Sequence, residues 1–175
     1  MHRLFVAIRP PRQIRELLCS VMGGIGGARW LADDQLHLTL RFIGNVDTNQ
    51  VGDIVTALRH VRCEQFTLAV QGAGTFAKNG RIHTLWAGVQ RSEPLERLRR
   101  RADRTIDGLL PAQPKRAYAP HITLARFGGS QALVDPLGLP AIPCASFDVQ
   151  AFQLFESVLS KDGPSYSTIE RYELG

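Results

Sequence analysis

The chain reads as an α+β fold made of two related halves, and three observations predict it. Strand-like and helix-like segments follow one another irregularly: strand, helix, strand, helix, two strands, helix, three strands. A short pattern occurs twice, His37-Leu38-Thr39-Leu40 and His121-Ile122-Thr123-Leu124. The copies stand 84 residues apart, close to half of the 175-residue chain, with no linker-like stretch between autonomous domains. The economical architecture is a duplicated lobe, residues 1–175 forming one domain of two intertwined lobes, with a motif strand from each half meeting at a central cleft.

The elements follow in order. Leu4–Ile8 is a short apolar run and predicts a buried strand. Pro10-Pro11 opens a helix with Ile14, Leu17, Leu18, Val21 and Met22 at helical spacing, and Gly23-Gly24-Ile25-Gly26-Gly27 ends it in a loop. These glycines follow a helix, whereas a dinucleotide-binding fingerprint follows a strand and opens a helix. Trp30-Leu31 precedes a turn at Ala32-Asp33-Asp34, and the first motif strand spans Leu36–Ile43, closed by Gly44-Asn45. Asp47 or Thr48 caps a second helix carrying Val51, Ile54, Val55, Leu58 and Val61. Phe66–Val70 alternates as a strand, Gly72–Gly80 reads as loop, and Arg81–Val89 is a further strand. Ser92 caps a third helix, with Leu95, Leu98, Ala102, Ile106 and Leu109 as its buried stripe and an Arg-rich outer face. Residues 111–116 form an extended loop leading through Tyr118-Ala119-Pro120 to the second motif strand, which Gly128-Gly129-Ser130 ends. Leu133–Pro143 is an irregular excursion. Phe147–Leu159 and Ser165–Leu174 read as two strands joined by a hairpin turn at Lys161-Asp162-Gly163-Pro164.

Composition narrows the function classes. Hydrophobic content of 44% with 21% charged residues is that of an ordinary globular domain. No apolar run reaches the roughly 18 residues of a membrane span, and the N-terminus lacks the form of a signal peptide, so a cytoplasmic location is expected. Cys19, Cys63 and Cys144 are odd in number and far apart, which suggests free thiols rather than disulfides or a zinc site. The net charge is +5, with 18 Arg against 3 Lys, and the planar, bidentate guanidinium suits phosphate-bearing partners.

The duplicated motif carries the chemistry. Strand alternation places His and Thr of each copy on one face and the apolar pair on the other. Chance recurrence is on the order of one in a thousand. Two imidazoles facing one cleft suit paired general acid and base catalysis, because His titrates near neutrality. The Thr39 and Thr123 hydroxyls can hold non-bridging phosphate oxygens, and Arg126 adds positive charge. No nucleophile elbow is present and no cysteine neighbours a motif histidine. A metal site would predict His-x-His, His-Glu-x-x-His or nearby carboxylates, and the motif strands contain none, so no metal or other cofactor is expected. His2, His60 and His83 receive no role.

The two motifs resemble those of the 2H phosphoesterases, named for paired His-x-Thr/Ser-x repeats. Within that superfamily the chain resembles the RNA 2′,3′-cyclic phosphodiesterases, also called 2′-5′ RNA ligases. The likeness extends over Arg3-Leu4-Phe5-Val6-Ala7-Ile8, residues 36–44, Leu85-Trp86-Ala87-Gly88-Val89, residues 120–126 and Leu154-Phe155-Glu156-Ser157. It implies a bilobal α+β fold, two pseudo-symmetric lobes whose antiparallel sheets line a central cleft with helices packed outside. It implies hydrolysis of a 2′,3′-cyclic phosphate at an RNA 3′ end to a 2′-phosphate, without metal or cofactor. By the same resemblance His121 is the proton acceptor that activates water and His37 the proton donor to the leaving 3′-oxygen, with Thr39, Thr123 and Arg126 binding phosphate. Tyr118 sits where relatives carry an aromatic, offered either as a stack for the terminal base or as packing. The partner implied is RNA with a 2′,3′-cyclic phosphate end, tRNA fragments among them. No membrane and no obligate protein partner are implied, and the chain is expected to act as a monomer. The same residues would serve 2′-5′ ligation or small cyclic nucleotides; a non-catalytic RNA-binding module is the alternative outside enzymes.

Overall fold

A computed structural model describes residues 1–111, 117–128, 138–160 and 163–175. The predicted loop at 112–116, Gly129-Ser130, residues 133–137 of the irregular excursion and the Lys161-Asp162 step of the hairpin lie outside the described residues. Nine strands and three α-helices are described: β1 (His2–Ile8), α1 (Arg12–Ser20), β2 (Ala28–Trp30), β3 (Leu38–Val46), α2 (Thr48–Leu58), β4 (Phe66–Lys78), β5 (Arg81–Val89), α3 (Glu93–Asp107), β6 (His121–Phe127), β7 (Ala145–Val149), β8 (Ala151–Ser160) and β9 (Gly163–Glu173). Every described strand pairing is antiparallel, and the sheet is not closed.

The strand order is β7-β4-β5-β6-β3-β1-β8-β9, with β2 beside β6. It divides into two four-strand halves that mirror each other. In one, β1-α1-β3 lies inside β8 and β9; in the other, β5-α3-β6 lies inside β4 and β7. The halves join where the motif strands β3 and β6 pair, Leu38 opposite Ile122. The chain interlaces them, since β8 and β9, from its C-terminal end, complete the half that β1 begins.

One side of the sheet carries the main core. Ile14 and Leu18 of α1, Ile54 and Leu58 of α2, and Leu95, Leu98 and Ile106 of α3 cluster with Leu4, Val6, Leu38, Leu40, Ile122 and Leu124. Each fully buried aliphatic of this kind is worth about 1.5–3 kcal/mol. Two helix starts are as expected. Asp47 accepts from the Gln50 amide while the Gln50 side chain accepts from the Asp47 amide, and the Ser92 side chain accepts from the Leu95 amide. The other side of the sheet carries a separate cluster of Phe5, Ala7 and Phe155, with Tyr166 against it. Among the described residues no helix is long and apolar enough to cross a membrane.

Several boundaries differ from the sequence reading. The stretch Gly72–Gly80 is not a loop: β4 runs through it to Lys78, bulged between Val70 and Ala73. Asn79 (φ +51°) and Gly80 (φ +72°) then make the tight turn into β5, a two-residue connection with positive φ at both positions. Phe147–Leu159 is two strands, not one; the chain leaves β7 at one end of the sheet and enters β8 near the other, with Gln150 between. Gly44-Asn45 does not close the first motif strand, because Gly44 (φ +91°) sits beside a bulge and β3 continues to Val46. Leu109 lies beyond the end of α3 and is exposed rather than part of its buried stripe.

Candidate active site

Both motif histidines stand where their strands begin, β6 opening at His121 and β3 one residue after His37. Each ring is tethered in the same way. His37 Nδ1–H donates to the Gln35 carbonyl at 2.6 Å, and His121 Nδ1–H donates to the Ala119 carbonyl at 2.6 Å. A carbonyl only accepts, so both neutral rings keep their proton on Nδ1 and carry the free lone pair on Nε2. The Gln35 side chain accepts from the Ala32 amide and donates to the Pro164 carbonyl of β9, which fixes the turn that holds His37.

Aromatic side chains wall each ring. Around His37 stand Phe5 (centroids 4.8 Å), Tyr166 (5.1 Å, edge-on) and Phe155 (6.2 Å), with Phe42 beside Phe5 at 5.8 Å. Around His121 stand Phe76 (4.8 Å, edge-on) and Trp86 (6.1 Å). Trp86 in turn lies over Gly74 of β4, where a Cβ would come within 2.2 Å of the indole. Burial lowers the His37 imidazole from its ordinary value to about 4; the Gln35 hydrogen bond opposes this, and the charges of Arg126 and His121 add to it. His121 is also lowered, by burial first and by Arg126 after it, against the Ala119 hydrogen bond. Arg126 therefore acts on both rings, and His37 senses His121.

The two arginines after the motifs are not equivalent. In each strand a bulge follows the threonine. Ala7 faces Thr39 while Val6 faces Arg41, leaving Leu40 extra; Trp86 faces Thr123 while Leu85 faces Ala125, leaving Leu124 extra. The bulge shifts the alternation by one residue. Arg41 consequently points to the helix side, 2.7 Å from Asp107 and 3.5 Å from Asp103 of α3, with only 11% of its side chain exposed. Phe42, 51% exposed, joins Phe5 on the His37 side. Counted from each histidine, Arg126 corresponds to Phe42 and Arg41 to Ala125. One wall of the site is cationic and the other aromatic.

Thr39 and Thr123 are both half-buried, each two residues beyond its histidine. Tyr118 lies against the helix-side core. Its hydroxyl donates to the Thr39 carbonyl at 3.0 Å, and the Arg99 guanidinium covers its ring at 4.3 Å. That placement fits packing rather than a base stack. The other histidines are engaged elsewhere: His2 with Glu156 and Thr48, His60 with the Thr56 carbonyl, His83 with Thr84. The aromatic walls escaped the sequence reading. Phe76 fell in a stretch read as loop, and the strand pairing that brings Phe5, Phe155 and Tyr166 together joins residues distant in sequence.

A family model described as the 2′-5′ RNA ligase superfamily matches residues 7–158. Curated relatives named RNA 2′,3′-cyclic phosphodiesterase include one from Aeropyrum pernix, 32% identical over 142 residues, covering 78% of this chain and 81% of the relative. Another, from Geobacillus stearothermophilus, is 32% identical over 178 residues; the match covers 97% of this chain and only 56% of that longer relative. Among solved structures, a Thermus thermophilus protein superposes with a TM-score of 0.84 at 28% identity, covering 98% of this chain and 97% of that one. Escherichia coli LigT complexed with 3′-AMP superposes with a TM-score of 0.82 at 27% identity, covering 99% and 98%.

Proposed function

The chain belongs to the 2′-5′ RNA ligase superfamily, and we propose that it hydrolyses the 2′,3′-cyclic phosphodiester at an RNA 3′ end to a 2′-phosphomonoester, with His37 and His121 as acid and base. The observation that carries this reading is the matched tethering of the two imidazoles, each bound through Nδ1 to a carbonyl two residues upstream. Both leave Nε2 for a reacting group, and neither Nε2 has a protein partner among the described residues.

His121 Nε2 takes a proton from water, whose oxygen attacks phosphorus. The bond from phosphorus to the 3′-oxygen breaks, and His37 protonates that oxygen. Thr39 and Thr123 hydroxyls and the Arg126 guanidinium hold the non-bridging oxygens. In the free site burial and Arg126 keep both rings neutral near pH 7. The phosphodiester brings a negative charge between them, offsets Arg126, and lets His37 bind the proton it must give. The names of the relatives support cyclic phosphodiester hydrolysis, and the Arg-rich charge supports RNA as partner, tRNA fragments included. A cytoplasmic enzyme acting as a monomer, without metal or cofactor, completes the reading. The family description favours one second reading, the reverse reaction, in which an RNA 5′-hydroxyl replaces water and a 2′-5′ bond forms.

His37→Ala and His121→Ala each test the proposal. Turnover of an RNA 2′,3′-cyclic phosphate should fall by about 10²–10⁴-fold in either, with circular dichroism and melting temperature close to those of the unsubstituted protein. An active, folded His121→Ala protein contradicts the two-histidine chemistry.

A further inference from the structure

Arg126 has an unusual neighbour. On β2 Arg29 stands directly opposite it, and both are exposed. Like charges facing one another across strands repel, and neither arginine has a carboxylate partner among the described residues. Past this pair, where β5 and β6 run out of the site, lies a cavity of about 650 Å³. Lys78, Arg81, His83 and Phe127 are among its lining residues, and none of the described lining residues is a carboxylate. On the adjoining strand Thr84 pairs with Arg126 and Gly88 with His121, so His83 lies five residues from the level of the catalytic ring, about 17 Å at the rise of a strand. An RNA ending in a 2′,3′-cyclic phosphate has chain only on its 5′ side, so the nucleotides that extend along this surface are those 5′ to the reacting end.

We propose that Arg29, Lys78 and Arg81 form a cationic track that binds backbone phosphates of the nucleotides 5′ to the reacting end, making the enzyme selective for RNA oligomers over cyclic mononucleotides. The inference rests on the hydrolytic reading above and names the substrate class of that site. Contacts to backbone phosphates carry no sequence preference, so the track discriminates by length. A mononucleotide reaches Arg126 and the histidines but not Lys78 or Arg81.

The test compares the unsubstituted protein with a Lys78→Ala/Arg81→Ala double variant on two substrates, a cyclic-phosphate octanucleotide and a 2′,3′-cyclic mononucleotide. The unsubstituted protein should show the lower KM for the octanucleotide. In the variant that KM should rise roughly tenfold, and the slope of its logarithm against that of salt should fall by about 0.7 for each backbone phosphate no longer neutralised. Mononucleotide turnover should be unchanged. Equal KM values for both substrates in the unsubstituted protein, or an octanucleotide advantage that survives the double substitution, overturns the track. Turnover of neither substrate contradicts the hydrolytic reading instead. The track is then decided by binding of a fluorescent octanucleotide, which the double variant should weaken by a similar factor and which an unchanged affinity would refute.

Discussion

At the scale of single residues, the molecule separates two arginines that look alike in sequence. Arg41 lies on the helix side between Asp103 and Asp107; Arg126 lies where its charge reaches both imidazoles. Removing one partner of a nearly buried ion network leaves uncompensated charge, so Arg41→Ala should lower stability by about 3 kcal/mol in denaturant unfolding while KM and the pH profile stay put. Arg126→Ala should do the reverse, with little loss of stability, a raised KM and kcat/KM lower by about 10²-fold. The sign of its pH effect is also set. Arg126 lowers both imidazoles, so its removal lets them rise and should move the acid limb of kcat/KM to higher pH. For the unsubstituted enzyme, kcat/KM reports the free site. There one ring is held near 4 and the other also lies below the ordinary 6.5. The bell should therefore centre below pH 6.5. The kcat bell should lie at higher pH, because bound phosphate raises the acid. A kcat/KM profile centred above pH 7 contradicts this electrostatic description.

At the scale of elements, paired bulges at matching positions decide which residues of a repeated sequence line the site, Phe42 in one copy and Arg126 in the other. Alternation alone puts Arg41, four residues after its histidine, on the cleft face and Arg126, five residues after, on the helix side; the bulges reverse both. A bulge changes which residue faces the cleft without leaving a mark in the hydrophobic pattern, and only the partner strand reveals it. The His and Thr positions were legible because they precede the bulge in each strand. The long strand β4 was not, because Gly72 and Gly74 look like loop residues. Gly74 is instead where β4 lets the Trp86 ring pass. Gly74→Ala should thus push the indole against its neighbours Phe76 and His121, costing about 1–3 kcal/mol. Turnover should fall with it even at temperatures where the variant is fully folded. A Gly74→Ala enzyme with unchanged melting temperature and rate would show that Trp86 does not brace His121.

At the scale of the whole molecule, two similar halves meet along the motif strands, and the pseudo-symmetry was visible as a spacing of 84 residues between repeats. Intertwined lobes were expected, but not the break at Gln150 that sends β7 and β8 to opposite halves of the sheet, because Phe147–Leu159 looks like one continuous strand. Near-symmetry makes the two histidines interchangeable by geometry alone. In the proposed reaction their division of labour would rest on the asymmetric surroundings, a cationic wall from Arg126 and an aromatic wall from Phe42. The direct test of that division is the product formed from a short RNA with a 2′,3′-cyclic phosphate, incubated with the purified protein in EDTA and resolved into 2′- and 3′-phosphate ends. A 2′-phosphate is expected, formed at an undiminished rate in the chelator. A 3′-phosphate, or activity that EDTA abolishes and zinc restores, would contradict it.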